Sequence, residues 1–417
     1  MEFQELIKNY LLVIVMRIGH IVWWSICVIF VTVTACTASM EKVETGVEVI
    51  AVQNSNSPLP IDLKDIVDSI EYVILETTDS CLLSDILCAK RDGDFYFVRD
   101  TKGLYVFDRE GRFLNEISNR GPGPEEYIYL DNFYLDRDKK QVCLILSAQK
   151  RILRYDYRGK YIGAYTIEDG SSGFSCARVD NAGNLIVYYP LCNEGNKRNN
   201  GYGLLRLNND EIPISAESLL SGIEISTGNI YYSFLHYPIA QLGNGYFLVS
   251  ALSDVLTFYQ PDSTLRAYRV DIPHIAPDKE FLSRYSDVDF FELSDILKDK
   301  NIGRGITAVE TANPYLFLSI DNKTSLIWDG QEAVWVSAFY DSDLNRYTQP
   351  VLSGGISDEH WGFYPADFLC EHKDGFRKKF GPSVTWIDKL TEEDNPVIFK
   401  YHFKPNLMAK LNGKKKT

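Results

Sequence analysis

Catalytic signatures are missing from these 417 residues. No Gly-x-Ser-x-Gly elbow, His-Glu-x-x-His helix, P-loop or dinucleotide fingerprint occurs, so no reaction class can be assigned from a local motif. Basic charge is also scarce. Lys and Arg number 43 against 57 Asp and Glu, a net charge of −14, and the only basic run is short and terminal, at 410–416. Phosphate neutralisation needs a concentrated basic face, so nucleic acid is excluded as a partner. The 8 cysteines include no CxxC pair and no Cys/His spacing of a metal site, and no cofactor is implied. Cys81 and Cys88 either pair on neighbouring strands in an oxidising compartment or serve, free and buried, as small core residues. Asp341-Ser-Asp343-Leu-Asn345 begins like a calcium loop, but Arg346 replaces its glycine and Leu352 its bidentate Glu, leaving a turn. Methionine is rare, at 4, against 26 Tyr and 22 Phe, a balance that favours strands over helices.

Long apolar runs are equally rare, and the one present lies near the N-terminal end. Residues 18–35 follow Arg17 and end Val33-Thr34-Ala35-Cys36. A basic flank, an apolar stretch and small residues before a cysteine describe an export signal ending in a lipobox-like site. Residues 1–35 therefore read as the signal, with Met16 as an alternative start because Glu2 and Glu5 occupy the region expected to be basic. Cys36 is the expected lipid attachment, and the destination is the bacterial cell envelope, periplasmic or surface-facing. The alternative is a single membrane-spanning helix, for which 18 residues lie near the lower limit. Residues 36–60, polar and without periodicity, read as a tether.

A hairpin recurs along the remainder. Residues 103–117 alternate apolar and polar positions around the turn Asp108-Arg-Glu-Gly111, and residues 152–162 repeat the pattern around Asp156-Tyr-Arg-Gly159. Looser copies surround Asp262 and Asp329-Gly330. Further strand pairs turn at Gly93, Gly183 and Gly245. Four strands per unit at a period of roughly 40–50 residues describe a β-propeller blade rather than a sandwich of unrelated hairpins.

Two segments, Val106-Phe-Asp-Arg-Glu-Gly111-Arg-Phe113 and Arg120-Gly-Pro-Gly-Pro-Glu-Glu-Tyr127, resemble the first-blade motif of bacterial six-bladed β-propeller lipoproteins, relatives of the NHL-repeat propellers. The approach strand at 70–77 and the terminal strand at 394–402 resemble that family's ends. The usual loop has a single Glu after Gly-Pro-Gly, whereas Pro124 and Glu125 intervene here. The resemblance implies an all-β fold, export and lipid anchoring. It carries no catalytic residues.

The expected architecture is a six-bladed propeller of four-stranded antiparallel blades over 61–405, followed by a basic tail at 406–417. Blades fall at about 80–117, 128–167, 174–215, 230–272, 305–340 and 356–403. Strands at 70–77 and 397–403 should share the closing blade, since a circular fold otherwise leaves two open edges. Residues 277–304 break the strand rhythm: Phe281, Tyr285, Leu293 and Leu297 recur at near-helical spacing, a short helical insertion between blades.

Candidate ligand-binding residues are Arg120, Glu125 and Tyr127 on the Gly/Pro loop, and His360 and Trp361 beside Asp358-Glu359. The loop glycines admit a ligand or another backbone, and the residue types suit polar ligands. The competing structural readings are a plain interblade connection and a solvated loop with Trp361 capping the core. The function expected is an exported, membrane-anchored module binding a glycan or an envelope protein. The alternative is a carbohydrate-active propeller enzyme, a lyase or hydrolase.

Overall fold

Each repeated Asp-x-x-Gly turn is held by one carboxylate. Asp108 Oδ1 accepts from the backbone N–H groups of Glu110 and Arg112 at 3.0 and 2.9 Å. Asp156 does the same for Arg158 and Lys160, and Asp180 for Ala182 and Asn184. The glycine closing each turn has φ of +84°, +81° and +84° respectively, a conformation that disfavours any Cβ. One aspartate with one glycine thus reverses the chain and sets the register of the strands on either side.

The computed structural model describes residues 47–413 except 118–119, 148, 168–175, 181, 189–203, 209–212, 218–237, 262–264, 286–287, 313, 343–345, 349–359 and 382–383. The leader, with Cys27, Cys36 and the start of the tether, lies outside the described residues, as do Asp358 and Glu359. Six small antiparallel sheets form the ring of a six-bladed β-propeller. Blade 1 comprises Ile86–Asp92, Phe95–Asp100, Leu104–Asp108 and Phe113–Glu116. Blade 2 comprises Asn132–Asp136, Gln141–Leu146, Arg151–Asp156 and Tyr161–Thr166. Blade 3 comprises Cys176–Val179, Leu185–Tyr188, Leu204–Leu207 and Pro213–Glu217. Blade 4 runs from Ile239–Leu242 through Gly245–Val249 and Val255–Tyr259 to Arg266–Asp271. Blade 5 runs from Ile306–Ala312 through Tyr315–Ile320 and Thr324–Trp328 to Ala333–Asp341.

Blade 6 closes the ring with three strands among the described residues. His360–Tyr364 pairs with Val397–Phe403, which pairs with the early strand Val67–Ile74, placing Tyr401 opposite Ile70. An early strand and the last strand therefore meet in one sheet. Asn395, 1% exposed, ties this sheet to the segment entering blade 1. Its amide donates to the carbonyls of Glu76 (2.7 Å) and Cys81 (2.9 Å), and its Oδ1 accepts from the Leu83 N–H at 2.8 Å.

Apolar residues fill the interfaces between successive blades, because each sheet buries both faces. Phe97, Val106, Phe133 and Leu153 lie between blades 1 and 2, whereas Val249, Leu256, Leu318 and Leu326 lie between blades 4 and 5. Cys81, Cys88 and Cys143 are free and buried in these layers. Burial pushes the Cys81 and Cys143 thiols up to about 12, which makes them inert packing groups. The insertion between blades 4 and 5 forms two helices, Lys279–Arg284 and Phe290–Asp299, capped by Asp278 and Asp289. Leu282, Leu293 and Leu297 pack with Ala251 and Leu252 in a satellite cluster, whereas Phe291 stands 76% exposed.

Two boundaries differ from the sequence expectation. The stretch assigned to the tether carries two strands built onto the ring. Glu48–Ala51 adds in parallel to the outer strand of blade 4, and Leu59–Asp62 adds in parallel to that of blade 5. Four-residue strands on a sheet edge are too short to give a readable alternation. The basic tail likewise opens with a helix, Leu407–Gly413, whose Leu407, Met408 and Leu411 are buried against blades 5 and 6. Its apolar spacing is hidden by the surrounding lysines.

Candidate functional site

The Gly/Pro loop after blade 1 is braced by its own side chains. Gly123 N–H donates to Glu126 Oε2 at 2.9 Å, and Gly121 N–H donates to the Tyr127 carbonyl at 3.1 Å. Arg120 is exposed and donates to the Thr101 carbonyl at 2.9 Å. Glu125 is exposed, and its carbonyl accepts from the Tyr155 hydroxyl at 2.7 Å, while Arg151 reaches the Pro124 carbonyl. Tyr127 faces the core: its ring is fully buried and its hydroxyl donates to the Ile117 carbonyl. Burial raises the phenol further, and Arg120 opposes that. The loop thus joins blades 1 and 2, with Arg120, Glu125, Ile128 and Tyr129 on its open side. His360 and Trp361 belong to another element, the first strand of blade 6, opposite Tyr401 and Lys400. Their side chains lie outside the described residues.

A second cluster comes from the first strands of alternate blades. Blades 1 and 3 share a pattern, Ala89-Lys90-Arg91-Asp92 and Ala177-Arg178-Val179-Asp180. Strand alternation sends the alanines into the apolar layers and turns Lys90 and Arg178 the other way, each 2% exposed. Lys90 Nζ lies 5.0 Å from the centre of the Phe133 ring, and Arg178 Nη1 donates to the Ala177 carbonyl. Glu310, on the first strand of blade 5, is 4% exposed. Burial and the charge of Arg178 bring Lys90 down to about 7, while Glu310 acts in the opposite sense. All three side chains of this cluster are buried. The repeated Ala-Lys/Arg-x-Asp pattern is the sequence signal that marks it.

An open cleft of about 400 Å³ lies elsewhere among the described residues, between blades 4 and 5. Successive strands of blade 4 contribute Phe247, Phe258 and Tyr268, and blade 5 contributes Trp328. Ring centres lie 4.8 Å apart for Phe247 and Phe258, 5.1 Å for Tyr268 and Trp328, and 6.1 Å for Phe247 and Trp328. Gly245 makes this packing possible, since a Cβ there would come within 2.2 Å of the Phe258 ring. Phe247 and Trp328 form the buried floor, whereas Phe258 and Tyr268 are half-buried and turn ring surface to the opening. Polar groups sit around the rings: Glu48, Arg266, Asp329 and Gln331. Glu48 reaches the cleft because the added N-terminal strand sets it opposite Tyr268. Asp329 is fixed by a turn in which its Oδ1 accepts from the Gln331 and Glu332 N–H groups.

No residue of this cleft was among the sequence candidates. Its members are spread from Glu48 to Gln331, so no local motif could collect them; only the short Trp328-Asp329-Gly330 turn had a recognisable pattern. Among the described residues no group of three His, Cys, Asp or Glu side chains has the arrangement of a metal site.

Residues 47–402 match the family described as a domain of unknown function, DUF4934. Solved structures similar to this fold include a Bacteroides fragilis protein classed as exported. It is 18% identical, with a TM-score of 0.59, over 84% of this chain and 99% of that one. A member of the DUF4221 family from Bacteroides vulgatus has 9% identity and a TM-score of 0.45, covering 81% of this chain and 97% of its own. Virginiamycin B lyase from Staphylococcus aureus has 11% identity and a TM-score of 0.41, over 64% of this chain and 74% of that chain. At such identities the likeness concerns fold alone. A search of the curated proteins finds no match.

Proposed function

The chain belongs to the DUF4934 family, and we propose that it is an exported, lipid-anchored propeller whose work is to bind a ligand at the bacterial envelope. The aromatic cleft between blades 4 and 5 carries this reading. It is concave, apolar at its floor and ringed by a few polar groups, the build of a small-molecule seat. Its volume lies at the small end of the usual range of roughly 300–1,000 Å³, which suits a ligand of one or two rings. Anchoring rests on the leader sequence, where Cys36 follows small residues behind an apolar run. The Bacteroides fragilis protein classed as exported supports the same destination. The Arg120–Glu125 side of the blade 1 loop is available as a second contact surface for an envelope protein.

Anchoring is tested by Cys36→Ser. Metabolic labelling with a fatty acid and membrane partition should both be lost in the variant. Unchanged partition with an uncleaved leader would establish a membrane-spanning anchor instead.

A further inference from the structure

The groups around the cleft also restrict what enters it. Glu48 and Asp329 bring two carboxylates, Arg266 one guanidinium and Gln331 one amide. A cation would be drawn to the rings and the carboxylates but opposed by Arg266, and an anion would meet both carboxylates. A wholly apolar ligand would cover Asp329 and Gln331 without replacing their water, at a cost for each group. What remains is a neutral molecule with one apolar face and a periphery of both donors and acceptors.

Resting on the binding reading above, we infer that the cleft is a saccharide site. A pyranose carries C–H groups on one face and hydroxyls around its edge. The C–H face lies against the half-buried surfaces of Phe258 and Tyr268, where the negative ring face meets the weakly positive hydrogens. The hydroxyls reach Glu48 and Asp329 as acceptors, and Arg266 and Gln331 as donors. The N-terminal strand has a direct part in this, because Glu48, Val49 and Ile50 form one wall of the cleft. A saccharide seated there contacts the strand, blade 4 and blade 5 together.

Binding is measured by isothermal calorimetry on the purified chain with three probe panels: neutral mono- and disaccharides, nucleosides, and aromatic amino acids. The expected result is saccharide binding that weakens about tenfold or more in Tyr268→Ala, a loss typical of a central aromatic contact. Glu48→Gln and Arg266→Ala change exposed side chains and keep the fold, so they test the site even if Tyr268→Ala unfolds. Both should weaken binding, whereas Glu125→Ala on the blade 1 loop should not. Saccharide binding that is equal in all variants would overturn this site. Nucleoside or amino-acid binding that fails in the same variants, without any saccharide binding, would overturn the saccharide assignment and keep the binding module. No binding from any panel would overturn both.

Discussion

Lys90 shows how far a single side chain can shape the stability of the ring. It is enclosed by Phe133 and acted on by Arg178, Arg137, Glu310 and Cys88, and its amine titrates near 7 in the fold. The unfolded chain holds that proton up to about 10.4. Between those values the unfolded state binds more protons than the native one, so stability rises with pH. Below about 7 both states are protonated and the burial penalty is complete, on the order of a few kcal/mol. Lys90→Met should therefore flatten the rise of stability between pH 7 and 10. Urea midpoints for parent and variant at pH 6, 8 and 9.5 check this. Parallel profiles would show that Lys90 keeps its ordinary proton affinity.

At the scale of elements, what was legible depended on whether the signal was local. The Asp-x-x-Gly turns fix their hairpins through contacts within five residues, so their positions could be read directly. The helical insertion was legible for the same reason, since its spacing and caps are internal. The N-terminal strap was not, because Glu48–Ala51 and Leu59–Asp62 become strands only when the edges of blades 4 and 5 are presented to them. The strap is also clipped by one residue. Asn54 donates to the Trp335 carbonyl at 2.7 Å and accepts from the Trp335 N–H at 2.9 Å. Asn54→Ala should cost about 1–2 kcal/mol, as two part-buried backbone groups lose their partner. Hydrogen exchange should then accelerate across residues 48–62 and leave blades 1 to 3 unchanged. Exchange that is unaltered along the strap would assign its hold to the strand pairing alone.

For the whole molecule, the requirement that a ring close makes the final pairing legible in the sequence. Open edges on the closing blade would be liable to pair with other chains, so Val67–Ile74 and Val397–Phe403 had to meet. What the sequence could not show was the bolt. Asn395 satisfies the Leu83 N–H and the Glu76 and Cys81 carbonyls from a position 1% exposed, and its own N–H donates to Thr77 Oγ1 at 2.8 Å. One asparagine thus joins the last blade to the entry of the first. Asn395→Ala leaves the Leu83 N–H and the Glu76 carbonyl without their partner, while the Cys81 carbonyl keeps the Thr78 N–H, so at about 1–3 kcal/mol for each orphaned group the loss should reach about 2 kcal/mol or more. Because every blade is packed between two neighbours, the damage should lower the melting temperature of the ring as one cooperative unit rather than fray blade 6. Calorimetry on the variant gives the answer. An early, separate transition for blade 6, with the main transition at the parent temperature, would mean that closure stabilises only its own blade.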